Sequence, residues 1–393
     1  MIQETYDVLV VGGGPSGATA AHDLARAGKR VAMLDRAGRI KPCGGAIPPR
    51  AIRDFAIPDH LIVARINNAQ IVSPKRRRVD MPVENGGYVG MVDRCEFDEW
   101  LRERAALAGA EWIKGTSHDL ERDADGTAVI TYAPKGEDGM RRIRAKMVII
   151  ANGARSELAL QAIPGQGHPK CVFAYHEIVK IPETGFDSQR CDVIYDGRTS
   201  PDFYAWIFPH GDTASIGTGS ARKGFSLRGA TAAVREENGL AHVETLRREG
   251  APIPMKPLKK WDNGRDVVLA GDSAGVVAPA SGEGIYYAML GGRLAAEAVQ
   301  IALATQDPAA LKSARKRFMK DHGKVFMVLG IMQFFWYRND WVRERFVKMC
   351  MDKDVQRLTW ESYMNKELVR KDPLAHVKIF FKDMAHLLGL ARA

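Results

Sequence analysis

Apolar positions along this chain follow three different spacings, and each predicts a different element. "YDVLVV" (6–11), "RVAMLD" (30–35), "KMVIIA" (146–151) and "VVLAG" (267–271) are short unbroken apolar runs. Runs of this length bounded by glycine or charge are the pattern of strands buried on both faces. Helical spacing marks "ATAAHDLARAG" (18–28), closed by Gly28, and "CEFDEWLRERAALAG" (95–109), which places Phe97, Leu101, Ala105 and Ala108 on one face. "AEWIKG" (110–115) follows as a strand, and "GTAVITYA" (126–133) with "RRIRAKMVIIANGARS" (141–156) reads as a hairpin. Alternation predicts antiparallel strands in "IVARINNAQIVSP" and "RRVDMPV". The same holds for "CVFAYHEIV", "CDVIYD", "FYAWIFP" and "TASIGTG" in a β-rich stretch from about Val172 to Pro257. After Gln306 the chain turns to helical patterns, among them the apolar run "VFMVLGIMQFFWY" (325–337) and "HVKIFFKDMAHLLGL" (376–390).

These elements predict an α/β (α+β) chain. A Rossmann-like nucleotide domain (1–60, 85–170 and 258–305) is interleaved with an antiparallel β-rich domain (61–84 and 171–257), and a C-terminal helical region (306–393) follows. A length of 393 residues exceeds what one hydrophobic core usually serves, so more than one lobe is expected. The five cysteines (Cys43, Cys95, Cys171, Cys191, Cys350) are scattered, with no CxxC pair and no His/Cys cluster at metal spacing. Reduced thiols in a cytoplasmic protein, and no metal site, are the expectation. No basic, apolar and small-residue leader pattern opens the sequence. The net charge of +10 gathers in "KRRR" (75–78) and between Lys312 and Lys324. Without a nucleic-acid module signature, these patches leave a solvated face or an anionic partner open and point away from nucleic acid. The thirteen-residue run at 325–337 falls short of the about 20 residues that span a bilayer. Two readings remain for it and for 376–390: a core helix pair, or an interfacial surface that holds the protein peripherally on a membrane.

The chemistry begins at "GGGPSG" (12–17), between the first apolar strand and the first helix. Gly12 suits the tight turn, Gly14 lets backbone approach a pyrophosphate, Gly17 lets helix and strand pack closely, and Ser16 lies in the first helical turn. Asp35 ends the second strand, placed to accept from the hydroxyls of an adenosine ribose and to repel a 2′-phosphate. The nucleotide is therefore FAD or NAD rather than NADP. Far downstream, Asp272 ends another buried strand and a helix opens around Gly284 and Ile285. A carboxylate and free helix N–H groups there would grip a polyol and a ring that becomes anionic on reduction, which FAD has and NAD lacks. Arg94 precedes its helix where a phosphate or ribose could lie.

GxGxxG with Asp35, then Arg94 before "FDEWL", then "ANGARS", then "GDSAG" and "SGEGI" is the order of motifs in the FAD fold typified by p-hydroxybenzoate hydroxylase. "KPCGGAIP" and "FYAWIFP" resemble the geranylgeranyl reductase family, in particular its chlorophyll and bacteriochlorophyll branch. The match runs over residues 5–305, with one departure: Asn152 stands where related flavin hydroxylases carry aspartate. The resemblance implies reduction of isolated isoprenoid double bonds, hydride coming from reduced FAD and a proton from elsewhere. It implies NADPH as electron donor, with ferredoxin as the other candidate. Its substrate would be a long prenyl chain, as geranylgeranyl diphosphate or as a geranylgeranyl-(bacterio)chlorophyll. Cys43, Gly44 and Gly45 would then lie along the flavin and substrate channel, the glycines letting backbone amides approach the ring. Cys43 would be a proton donor or a small apolar wall. Tyr204, Trp206 and Phe208 share one strand face and would line the prenyl chain or simply fill the core. Two alternatives on the same fold are an aromatic hydroxylase and a non-catalytic prenyl-binding protein of the Rab escort and GDP-dissociation-inhibitor type.

Overall fold

A computed structural model describes residues 5–38, 40–84 and 86–366; the apolar stretch 376–390 lies outside them. In chain order the strands are β1 (Thr5–Val11), β2 (Val31–Asp35), β3 (Ala46–Ile47), β4 (Ala64–Ile66), β5 (Asn68–Val72), β6 (Arg78–Pro82), β7 (Val89–Met91) and β8 (Glu111–Arg122). Then come β9 (Ala128–Pro134), β10 (Arg141–Ile150), β11 (Cys171–Lys180), β12 (Arg190–Ile194), β13 (Ala205–His210), β14 (Thr213–Ser220), β15 (Thr245–Pro254) and β16 (Val267–Leu269). The helices are α1 (Pro15–Arg26), α2 (Pro49–Asp54), α3 (Arg94–Leu107), α4 (Glu157–Ala162), α5 (Leu227–Glu237), α6 (Ile285–Thr305), α7 (Lys312–Trp336), α8 (Asp340–Met349) and α9 (Lys353–Asn365).

Two compact units share the chain. The first takes residues up to Lys41, Arg94–Cys171 and Pro252–Lys324. In it β8, β2, β1, β10 and β16 run parallel, Val8 standing between Val31 and Met147, and β9 pairs antiparallel with β8 and β10. The unbroken apolar runs of β1, β2 and β16 are buried almost throughout, as a sheet covered on both faces requires. Helix α1 packs on α6 so closely that a Cβ at Gly292 would lie 2.0 Å from the Ser16 carbonyl, which explains its small-residue sequence.

The second unit takes Pro42–Asp93, Val172–Ala251 and, of the described residues, those from Val325 to Lys366. Its seven-stranded sheet has the order β15-β11-β14-β13-β12-β5-β6, in which β11 to β12 and β5 to β6 are antiparallel and β12 joins β5 in parallel, and a small sheet sets β7 between β3 and β4. Residues 42–60 cluster here rather than with the nucleotide unit because Ala46 and Ile47 pair with Met91 and Gly90. Pro48 and Pro49 start α2, as N-cap and first helical residue, where a proline loses no hydrogen bond.

The C-terminal helices pack into the units instead of forming a lobe of their own. Tyr337 and Phe346 lie against Tyr195, with centroids 5.3 and 5.1 Å apart, and Arg343 Nη2 donates to the Pro201 carbonyl (2.5 Å). The basic run at 75–78 is an exposed face whose arginines are tied to neighbours: Arg76 pairs with Glu237, Arg77 with Glu344, and Arg78 donates to Gln70.

Candidate functional site

The β1–α1 turn in the first unit is built for a ligand at one glycine and for packing at another. A Cβ on Gly17 would lie 1.8 Å from the Gly12 carbonyl, so the residue is dictated by the protein itself. At Gly14, with φ −75°, a Cβ would meet nothing within 4 Å. Gly14 is also the N-cap of α1, which no side chain caps, so the helix presents its first N–H groups and the positive end of its dipole at that open place. Open space beside an uncapped N-terminus fits a pyrophosphate. The Ser16 Oγ is buried without a hydrogen-bond partner among the described residues, 3.0 Å from where a Cβ on Gly271 would stand.

Asp35 holds this turn as well as marking its end. Its Oδ2 accepts from Gly13 N (2.7 Å) and its Oδ1 from Ala37 N (2.9 Å). A carboxylate has about four lone-pair sites, so ribose hydroxyls can still be accepted. Behind it stands Arg102, buried, donating to the Gly13 carbonyl (3.3 Å) and bound to Glu99. The apolar spacing of α3 hid this residue. Its signal was the i+4 series Arg94, Asp98, Arg102 on the same buried face. Arg94 itself is engaged by Asp98 through two buried hydrogen bonds (2.8 and 2.6 Å), which offset the charge it would offer a phosphate.

At the far end of the same unit, Asp272 is buried and accepts from Lys41, the residue two before Cys43 in the chain. Ser273 Oγ donates to the Gly153 carbonyl and accepts from Gly153 N, both at 3.0 Å, joining the "GDSAG" turn to the "ANGARS" turn. Asn152 Oδ1 is buried with no hydrogen-bond partner among the described residues. Helix α6 begins at Ile285 with Gly284 as an N-cap, as the spacing predicts. One N–H of its first turn, that of Tyr286, is already taken by the buried Glu283 carboxylate (2.9 Å), which competes with any anion there. Lys41, Ser273 and Glu283 lie in stretches without periodicity, and only long-range pairing reveals the first two.

In the second unit the cysteine turn lies directly on the aromatic strand. A Cβ at Gly44 would be 3.0 Å from the Phe208 ring, and one at Gly45, φ +70°, would be 2.5 Å from both His210 Nε2 and the Val92 carbonyl. The bareness of Gly44 and Gly45 thus lets the turn lie close against the protein's own β13 face. Cys43 Sγ accepts from Gly45 N at 3.4 Å. Along β13, Tyr204 and Trp206 centroids are 6.0 Å apart and Trp206 and Phe208 6.2 Å, one continuous face. Trp206 is fixed by donating from Nε1 to Ser215 Oγ (3.0 Å), which also meets His176 Nδ1 (2.8 Å), with Glu249 at the other ring nitrogen (3.2 Å).

His210 completes the face two residues past Phe208, where the same alternation would have found it. Its Nδ1 donates to the Phe208 carbonyl (3.0 Å), and burial lowers its pKa from 6.5 to about 4. The folded state therefore binds fewer protons than the unfolded chain between those values. Stability present above pH 6.5 should be lost as the pH falls toward 4, by at most about 3 kcal/mol. Urea midpoints across that range test this: His210→Gln should flatten the dependence, and an unaltered slope would remove His210 as its source.

Residues 5–174 match the FAD binding domain family. A geranylgeranyl diphosphate reductase of Rhodobacter capsulatus is 58% identical over 98% of both chains, and one of Synechocystis sp. is 36% identical over 97% of both. The fold of a geranylgeranyl bacteriochlorophyll reductase-like protein from Thermoplasma acidophilum superposes with a TM-score of 0.75 at 22% identity, over 99% of this chain and 100% of that one. The chain belongs to the geranylgeranyl reductase family, built on the FAD-binding fold.

Proposed function

We propose that this chain is an FAD-dependent reductase of the isolated double bonds of a geranylgeranyl group, carried as the free diphosphate or esterified to a (bacterio)chlorophyll, with NADPH as electron donor. The observation that carries the substrate side is the contact of the Cys43–Gly44–Gly45 turn with the Phe208 and His210 end of the aromatic β13 face. It assembles a rigid apolar wall and a thiol from two distant parts of the sequence.

Bound in its reduced form, FAD supplies a hydride to one alkene carbon, which leaves the protein to provide a proton for the other and to keep water away. Gly14 and the α1 N-terminus would take the pyrophosphate, Asp35 the ribose and Asp272 the ribitol, with Arg94, Gly284 and Ile285 bordering the cofactor. Lys41 would steady Asp272. Cys43 is the group proposed to hold the transferred proton: its sulfur accepts from Gly45 N, which leaves the S–H directed elsewhere. Tyr204, Trp206 and Phe208 would hold the prenyl chain. A peripheral position at a membrane suits so apolar a substrate.

Trp206→Ala tests the wall. Each buried CH₂ contributes about 0.8 kcal/mol, so the affinity lost should grow with the number of isoprene units, and partly reduced products should escape. Equal losses for short and long analogues, with an unchanged product distribution, would make the three rings core.

A further inference from the structure

The apolar run of α7, left between core and interface by its sequence, divides in the structure. Phe326 and Trp336 are buried, whereas Phe334 is 68% exposed, Met327 59%, Ile331 51% and Phe335 46%. These four stand at i, i+4, i+7 and i+8, one face of one helix. Trp341, 56% exposed, follows at the start of α8. Traced back toward the helix N-terminus, the same face carries Lys324, Lys320 and Lys316 at four-residue steps. All three are exposed, and none has an ion-pair partner among the described residues. Beyond the helix come exposed Arg338, and Arg345 with its guanidinium 3.2 Å over the Trp341 ring. Two nearby carboxylates are neutralised, Asp340 by Arg343 and the Gly197 N–H, Glu344 by Arg77 and the Lys75 N–H, and the exposed Asp321 offsets one charge of the lysine row.

We propose that this face is a docking surface for an anionic lipid membrane. Met327, Ile331, Phe334, Phe335 and Trp341 enter the boundary between headgroups and acyl chains, and the lysine row meets the lipid phosphates. No helix among the described residues is long and apolar enough to cross a membrane, so the protein lies on the bilayer rather than spanning it. Charge decides the occupant. A second copy docked about a two-fold axis would set the lysines against their own counterparts or against the phenylalanines, and one Asp321 against three lysines leaves such a contact with net positive charge on both sides. An anionic headgroup layer offers both the charge and the apolar depth. The proposal stands on this surface alone and is independent of the redox reading.

The test is cosedimentation of the full-length, flavin-loaded protein with phosphatidylglycerol/phosphatidylcholine vesicles and with phosphatidylcholine alone. Binding is expected to the anionic vesicles only and to weaken with added salt. Each Lys→Gln change at 316, 320 and 324 should lower the partition coefficient about fivefold and the triple variant about 100-fold. Phe334→Ser with Phe335→Ser should release the protein while its flavin content stays normal. Absence of binding to either vesicle, equal binding to both, or full binding by the two variants would each overturn the proposal. A concentration-dependent dimer that the phenylalanine variant dissociates would also overturn it, assigning the face to a second copy.

Discussion

Gly14→Ala is expected to give a protein that folds with the unfolding temperature of the parent apoprotein and yet holds FAD about 100-fold more weakly. The new methyl group meets no protein atom within 4 Å, and the backbone, at φ −75°, is one that alanine adopts without strain. Any loss must come from the ligand. A pyrophosphate accepting from the first N–H groups of α1 would be held off by the Cβ, and each charge-assisted hydrogen bond so weakened contributes about 1.5–3 kcal/mol, roughly ten- to a hundredfold in affinity. Gly17→Ala is the control with the opposite signature. Its Cβ would overlap the Gly12 carbonyl at 1.8 Å, so the apoprotein itself should be destabilised, by about 3 kcal/mol or more. Flavin titration by fluorescence quenching and thermal unfolding of both variants separate the two causes. Normal FAD affinity in Gly14→Ala would place the pyrophosphate elsewhere.

Cys43→Ala is expected to slow alkene reduction by about 10²–10⁴, the range a positioned acid contributes, while reduction of the flavin by the donor proceeds at the parent rate. Cys43→Ser should keep part of the activity, because a hydroxyl in the same place retains a transferable proton and can still accept from Gly45 N. Stopped-flow measurement of the two half-reactions distinguishes this from a wall role. If alanine and serine are equally active in the alkene step, Cys43 only shapes the channel.

Much of the frame could be read from the sequence because it obeys one force. Strands such as β1 and β16 are buried on both faces, so their residues form short unbroken apolar runs bounded by glycine or charge. The glycine turn and Asp35 were legible for a similar reason, since a turn in which Gly17 lies against the Gly12 carbonyl and Asp35 accepts from Gly13 N admits few residue types. What escaped was held by pairing across long separations. Lys41 on Asp272 and Ser273 on Gly153 leave no periodic trace, and Arg102 sits inside a helix face read only for its apolar members. The packing of Gly44 and Gly45 on Phe208, His210 and the Val92 carbonyl joins distant parts of the chain and leaves no periodic trace either. In α7, hydrophobicity alone could not say which side faces solvent. Phe334 and Trp336 are equally apolar in sequence and opposite in burial.

The most direct test of the central claim is mass analysis of geranylgeranyl diphosphate, and of a geranylgeranyl-pigment ester, after anaerobic incubation with the reduced, FAD-loaded protein. The account predicts products heavier in steps of two hydrogens, with oxidised flavin reappearing in proportion. Substrate of unchanged mass beside flavin that stays reduced, or a product that forms only when air is admitted and carries an added oxygen, would contradict it.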